Sequence, residues 1–148
     1  MTLMLPYHYG KAAFMGGTAG ADVPVDVISD NLALTLHTAT YTPNRLTHRW
    51  ASDLSAELAS GNGYTTGGVL LASKTVSAPD GSGNVFVDAA DVVFNFTANK
   101  TFRYAVLKKD SGVAGTSPLL WLVDFEADQT IGVTFQIAWN ASGLWQLT

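Results

Sequence analysis

Asp124, Glu126 and Asp128 recur at every second position, and a continuous strand would project all three carboxylates from one face. Oxygen ligands grouped in this way suit Ca²⁺, which makes these three the candidate metal ligands. No EF-hand spacing surrounds them, and acids beside a hairpin turn are ordinarily just solvated. Asp88 and Asp91 flank Ala89-Ala90. Paired carboxylates do acid–base work in glycosidases, but a tight turn between two strands accounts for this pair better. His8, His37 and His48 match no metal-ligand spacing. A serine–histidine–aspartate triad can be assembled from distant positions, yet no Gly-x-Ser-x-Gly elbow is present, and each histidine is expected at the surface or against another subunit. Gly61-Asn62-Gly63-Tyr64-Thr65-Thr66-Gly67-Gly68 is rich in glycine. A phosphate loop needs a strand before the glycines and a helix after them, whereas the order expected here is helix, glycines, strand. The chain has no cysteine, which removes thiolate chemistry and disulfides. No catalytic residue and no cofactor is expected, and the chain does not read as an enzyme.

The elements that would position these groups are mostly strands. Ile131, Val133, Phe135, Ile137 and Trp139 alternate with Gly132, Thr134, Gln136, Ala138 and Asn140, the period of two that separates a buried face from a wetter one. Leu32, Leu34 and Leu36 alternate with Ala33, Thr35 and His37 in the same way. Further strands are expected at Val23–Val27, along Tyr64–Val76 with a bend at Gly67-Gly68, from Val85, over Val92–Phe96, over Phe102–Val106 with Phe102, Tyr104 and Val106 on one face, over Leu119–Phe125, and at Leu144–Leu147. Trp50, Leu54 and Leu58 recur every four residues and predict one short helix within 46–59, lying on the sheet. Strands at intervals near ten residues, with those from 84 to 148 pairing in succession, predict an all-β fold. The expected architecture is an antiparallel, jelly-roll-like β-sandwich over residues 21–148 with the helix packed on a sheet. Residues 1–20 read as an N-terminal arm or edge segment, with Gly16-Gly17-Thr18-Ala19-Gly20 as its flexible part.

A chain of 148 residues suits a single domain. Apolar residues make up 47% and charged residues only 14%, against about 25% charged in typical domains. So few charges leave a surface of Thr, Ser, Asn and Gly, which favours a subunit packed among neighbours. Twelve acids against eight bases give a net charge of −4. The bases are scattered, without the basic patch of a nucleic-acid binder, so no nucleic-acid partner is expected. Met1–Leu5 is too short and lacks the basic start of a secretory leader, and no apolar run approaches the ~18–20 residues of a membrane span; neither export nor a membrane partner is expected. Asn95, Asn99 and Asn140 each open a glycosylation tripeptide, which means little without export. Trp121 and Trp139 fall on expected core faces and Trp50 on the helix stripe. Trp145 is left free to stack on a sugar.

Ser29–Leu36, Tyr41-Thr42-Pro43, Glu57-Leu58-Ala59-Ser60-Gly61-Asn62-Gly63-Tyr64, Gly67-Gly68-Val69-Leu70-Leu71, Ala90–Phe94, Phe102–Val106 and the closing Gly143-Leu144-Trp145-Gln146-Leu147 form a set of structural punctuation marks. Together they resemble small structural proteins of tailed-bacteriophage virions, among them capsid decoration or cement proteins and tail-associated β-sandwich proteins. The likeness covers roughly residues 25–148. It implies a virion protein, assembled in the host cytoplasm, that cements contacts between capsomers; the alternative is a tail, baseplate or fibre component with a carbohydrate-binding role in adsorption. The implied partners are the major capsid protein or other virion proteins, and further copies of the chain in a symmetric oligomer, with a trimer at a local threefold axis expected. Met1, Leu3, Leu5 and Tyr7 in the first segment, and Trp145, are the candidate interaction residues.

Overall fold

The computed structural model describes residues 3–16, 23–139 and 144–147, with side chains for 4–16, 23–139 and 144. The chain is an antiparallel β-sandwich with one short helix. Strand β1 (Leu3–Pro6) leads directly into α1 (His8–Phe14), followed by β2 (Leu32–His37), β3 (Val69–Leu70), β4 (Thr75–Val76), β5 (Val85–Asp88), β6 (Val92–Asn95), β7 (Lys100–Lys109), β8 (Leu119–Ile131), β9 (Thr134–Ile137) and β10 (Trp145–Leu147). Five strands form the main sheet in the order β1-β8-β7-β2-β3; β10-β5-β4 and β6-β9 form two smaller sheets.

All six residues of β2 are buried, so both faces of the main sheet are covered at this strand. On one face Leu32, Leu34 and Leu36 join Ala105, Leu107, Leu120 and Val123 in the larger core, which also takes in Phe94 and Ile137 from the small β6-β9 sheet and Phe96 just after β6. Rings weld this layer together: Phe102 lies 4.8 Å from Phe135 and 5.7 Å from Phe125, and Phe94 lies 6.0 Å from both Tyr64 and Phe96. Pairs of this kind add about 0.5–1.5 kcal/mol each beyond area burial. On the opposite face Tyr104, Val106, Leu119 and Leu122 pack with Tyr7 and Tyr41 under Ala51, Leu54 and Ala56.

The helix is not where the four-residue spacing puts it. Within 46–59 only one 3-10 turn forms, Ala51–Asp53. Asp53 Oδ2 accepts the N–H groups of Arg49 and Trp50 at 2.7 and 2.8 Å, closing that turn. The chain beyond it runs beside the end of β2: Thr38 N–H donates to the Ala56 carbonyl, Leu58 N–H to that of Leu36, and His37 bridges Glu57. Pairing with a sheet satisfies the same backbone groups that a helix would. The true helix occupies residues 8–14, inside the segment expected to be an arm or an edge. There β1 pairs with Leu122 and its neighbours in β8, and Tyr7 and Ala13 are fully buried. Gly10 lets α1 press onto the sheet, because a Cβ there would sit 2.5 Å from the Leu119 carbonyl oxygen.

Other expectations are corrected by specific residues. Tyr64–Val76 is not one strand: Gly67, Gly68 and Ser73 all take positive φ, and the two short strands that remain join different sheets. Val23–Val27 is not a strand; Asp26 Oδ1 draws the N–H groups of Ile28 and Ser29 into a turn. The alternation from Ile131 to Trp139 is cut by a bend at Gly132-Val133, which carries the chain from β8 into a different sheet and leaves Val133 71% exposed. Strands from 84 onward do not simply pair in succession, since β5 pairs with β4 and β10 and β6 with β9. Phe102 does not share a face with Tyr104 and Val106. Tyr104 is opposite Asp124 but Phe102 is opposite Gln129, so β8 bulges, with Glu126 at φ 64°, and the pleat changes phase.

Gly68 tests how closely the loop after residue 57 is seated. Its φ is +80°, and a Cβ would stand 2.1 Å from the Leu34 carbonyl oxygen. Gly68→Ala is expected to cost more than about 2 kcal/mol in denaturant unfolding. Gly81→Ala, where nothing lies within 4 Å and φ is ordinary, stays within about 0.5 kcal/mol.

Candidate functional site

The face of the main sheet that carries Tyr104 and Val106 holds the buried polar groups. β2 contributes Thr35 and His37, β7 contributes Lys108, and all three are buried. The pairing that sets Thr35 opposite Val106 and His37 opposite Tyr104 follows from the register of β2 on β7. His37 Nδ1 lies 2.8 Å from the Ser55 carbonyl, which can only accept, so Nδ1 carries the proton. Nε2 meets Thr35 Oγ1 at 2.8 Å, and the same hydroxyl lies 3.2 Å from the Val106 carbonyl. Burial holds the His37 pKa below the ordinary 6.5, and the charge of Lys108 acts in the same direction; the Ser55 carbonyl and Glu57 oppose it. Alongside, Tyr7 O–H, Tyr41 O–H and His48 Nδ1 form a chain with links of 2.8 and 3.0 Å. Burial raises the pKa of both phenols, so both act as neutral hydrogen-bonding groups.

Glu57 ties the glycine-rich loop to this layer. Its Oε1 accepts from Tyr64 O–H at 2.8 Å and from Gly67 N–H at 2.7 Å, and the Tyr64 oxygen accepts from Leu36 N–H at 3.1 Å. Burial raises the Tyr64 pKa, keeping its proton in place for that bond. Asn62 and Gly63 sit at φ 52° and 84° in the tight turn that returns the chain from Gly61 to Tyr64. A Cβ on Gly63 would lie 1.9 Å from the Asn95 carbonyl oxygen. The spacing of Glu57, Gly61, Gly63, Tyr64, Gly67 and Gly68 is therefore that of a latch holding a loop onto β2, and β6 beside it.

Above the latch a cleft of about 430 Å³ opens between residues 51–57, Thr66-Gly67 and 108–117. Glu57, Lys108 and Asp110 share its walls with Leu54 and Val113. Alternation, the only clue the sequence offers, puts Lys108 on the face of Tyr104 and Val106; what faces it comes from distant loops. A second groove, about 370 Å³ and almost wholly apolar, runs between Phe14, Met15, Val25, Val76, Val87 and Trp121.

The residues singled out by pattern are scattered. Asp124 binds Arg103 Nε at 3.3 Å and accepts Glu126 N–H at 2.7 Å, and the bulge at Glu126 breaks the common face on which Asp124, Glu126 and Asp128 were expected. Among the described residues no group of three or more acidic or histidine side chains is placed to hold a metal ion. Asp91 staples β6 to the end of β9 by accepting Trp139 N–H and Gln136 Nε2–H at 3.0 and 2.8 Å, while Asp88 accepts Ala89 N–H. His37 is buried, against the expectation of a surface histidine; His8 is exposed and His48 half-buried. Tyr7 is core, so it cannot meet a partner, whereas Leu5 is half-buried on the edge strand. Met1, Gly17–Gly20, Asn140–Gly143 and the side chains of Leu3 and Trp145 lie outside the described residues. No described helix is long and apolar enough to cross a membrane. No family model, curated protein or solved structure matches the chain.

His37 gives this layer a pH dependence of definite sign. Unfolded, the imidazole takes a proton near pH 6.5; folded, it resists until lower pH. The stability it contributes is complete above that value and is lost as the pH falls below it. The thermal midpoint should drop between pH 7.5 and 5.5, and His37→Gln should flatten that drop. Equal slopes in both proteins would contradict the assignment.

Proposed function

We propose that the chain is a structural protein of a bacteriophage virion, decorating the capsid and cementing contacts between capsomers. The observation that carries this reading is the use made of the residues behind the phage resemblance. Glu57, Tyr64, Gly63 and Gly68 hold loops against strands through backbone contacts, which is the work of a rigid building block. The surface supports the same reading. Met15, Val133, Leu46 and Val113 are 84%, 71%, 64% and 60% exposed, on a chain with few charges to keep neighbours away. A standard interface takes about 800 Å² from each partner, a small part of the 7405 Å² the chain presents. A trimer that also contacts capsomers fits within that surface.

Copy number in purified particles tests the proposal, by quantitative mass spectrometry against the major capsid protein. Hundreds of copies per particle are expected. A handful to dozens would assign the protein to the tail, baseplate or fibre instead, and absence from the particle would overturn the virion role.

A further inference from the structure

We propose that the cleft over Lys108 is a binding site for a neutral sugar, a pyranose recognised through adjacent hydroxyls. The inference concerns a site that a purely cementing role does not need, and it stands whether the protein belongs to the head or the tail.

Lys108 is the starting point. It is only 8% exposed, yet among the described residues its ammonium makes no hydrogen bond, and its ion-pair partner, Asp110 Oδ1, stands 3.6 Å away. The neighbouring Lys109 shows what a satisfied lysine looks like here, with Asp30 Oδ2 at 2.8 Å and the Pro24 carbonyl at 2.9 Å. The Lys108 Nζ is not shut off from the cleft, so its unused N–H groups are open to an acceptor bound there. Lys108 faces a cleft whose volume of about 430 Å³ falls in the ~300–1,000 Å³ range of small-molecule sites.

The remaining walls select the ligand. Glu57 spends Oε1 on Tyr64 and Gly67, and Asp110 spends Oδ1 on Gly112 N–H and Lys108. The other oxygen of each carboxylate makes no hydrogen bond among the described residues. The cleft therefore offers one cationic donor and two anionic acceptors. An anion would be repelled by two carboxylates, and an amine or guanidinium brings only donors and leaves Lys108 unmet. A hydroxyl both donates and accepts, so a vicinal diol can satisfy ammonium and carboxylate together. Leu54 and Val113 supply apolar wall for the C–H face of a sugar ring.

Two-dimensional amide NMR on the full chain tests this, with the methyl glycosides of glucose, galactose, mannose and N-acetylglucosamine as probes and acetate and methylammonium as controls. At least one glycoside should shift amides of Ser55–Glu57, Gly67 and Lys108–Ala114, with millimolar affinity. Lys108→Met should weaken it about tenfold or more, the loss of a hydrogen bond to a charged group. Ala114→Trp, on the exposed rim, should block it even if the lysine variant does not fold. No shift with any glycoside, shifts confined to other regions, survival of binding in Ala114→Trp, or equal shifts with either control would each overturn the proposal.

Discussion

β2 is buried on both faces, and β7 is buried from Tyr104 to Lys108, so the side chains of this pair must be satisfied inside the protein. On the face of Leu32, Leu34 and Leu36 this is a matter of volume, filled by phenylalanines from β6, β7, β8 and β9. On the other face it is a matter of donors and acceptors. Thr35 and His37 arrive there already desolvated, and an unpaired buried polar group costs about 1–3 kcal/mol. The segment from Tyr41 to Glu57 answers that demand. It brings the Ser55 carbonyl to His37, the Tyr41 hydroxyl to Tyr7 and the Glu57 carboxylate to Tyr64. A helix over those residues would have engaged its carbonyls along its own axis and left His37 without the Ser55 acceptor.

The bulge in β8 is what allows one long hairpin to serve both layers. With Glu126 in the left-handed region and three extra residues between Asp124 and Gln129 relative to β7, the pleat changes phase. Phe102 then enters the phenylalanine cluster while Tyr104 and Val106 enter the tyrosine layer. Without the bulge one of these sets would be presented to the wrong side. The same feature separates the carboxylates of β8 and leaves Asp124 to pair with Arg103.

Strands were legible where alternation was simple. In β2 the leucines and the Ala33, Thr35, His37 set separate as the pattern says, and β5, β6, β7 and β8 lie where β-branched and aromatic residues gather. What the sequence hid was non-local. Seven residues of α1 carry no cap side chain, and their stability comes from docking Ala13 and Gly10 on β8. The false helix at 46–59 had the right period, but the open edge near His37 competed for its backbone. Of the candidate cleft, Glu57 was visible only as part of a motif, and Lys108 only through the alternation along β7. Its environment depends on loops 51–57 and 110–117, whose placement no local pattern encodes.

A body built this way is rigid at its centre and variable at its loops, which suits both a lattice subunit and a shallow ligand cleft. Hydrogen exchange at single-amide resolution tests the central claim, that the doubly covered sheet is the stability core. The amides of Thr35–His37 and Tyr104–Leu107 should exchange slowest and together, at the rate of global unfolding, with β4, β5 and β10 exchanging faster. Exchange of the Thr35–His37 amides as fast as those of β4 and β5 would contradict it.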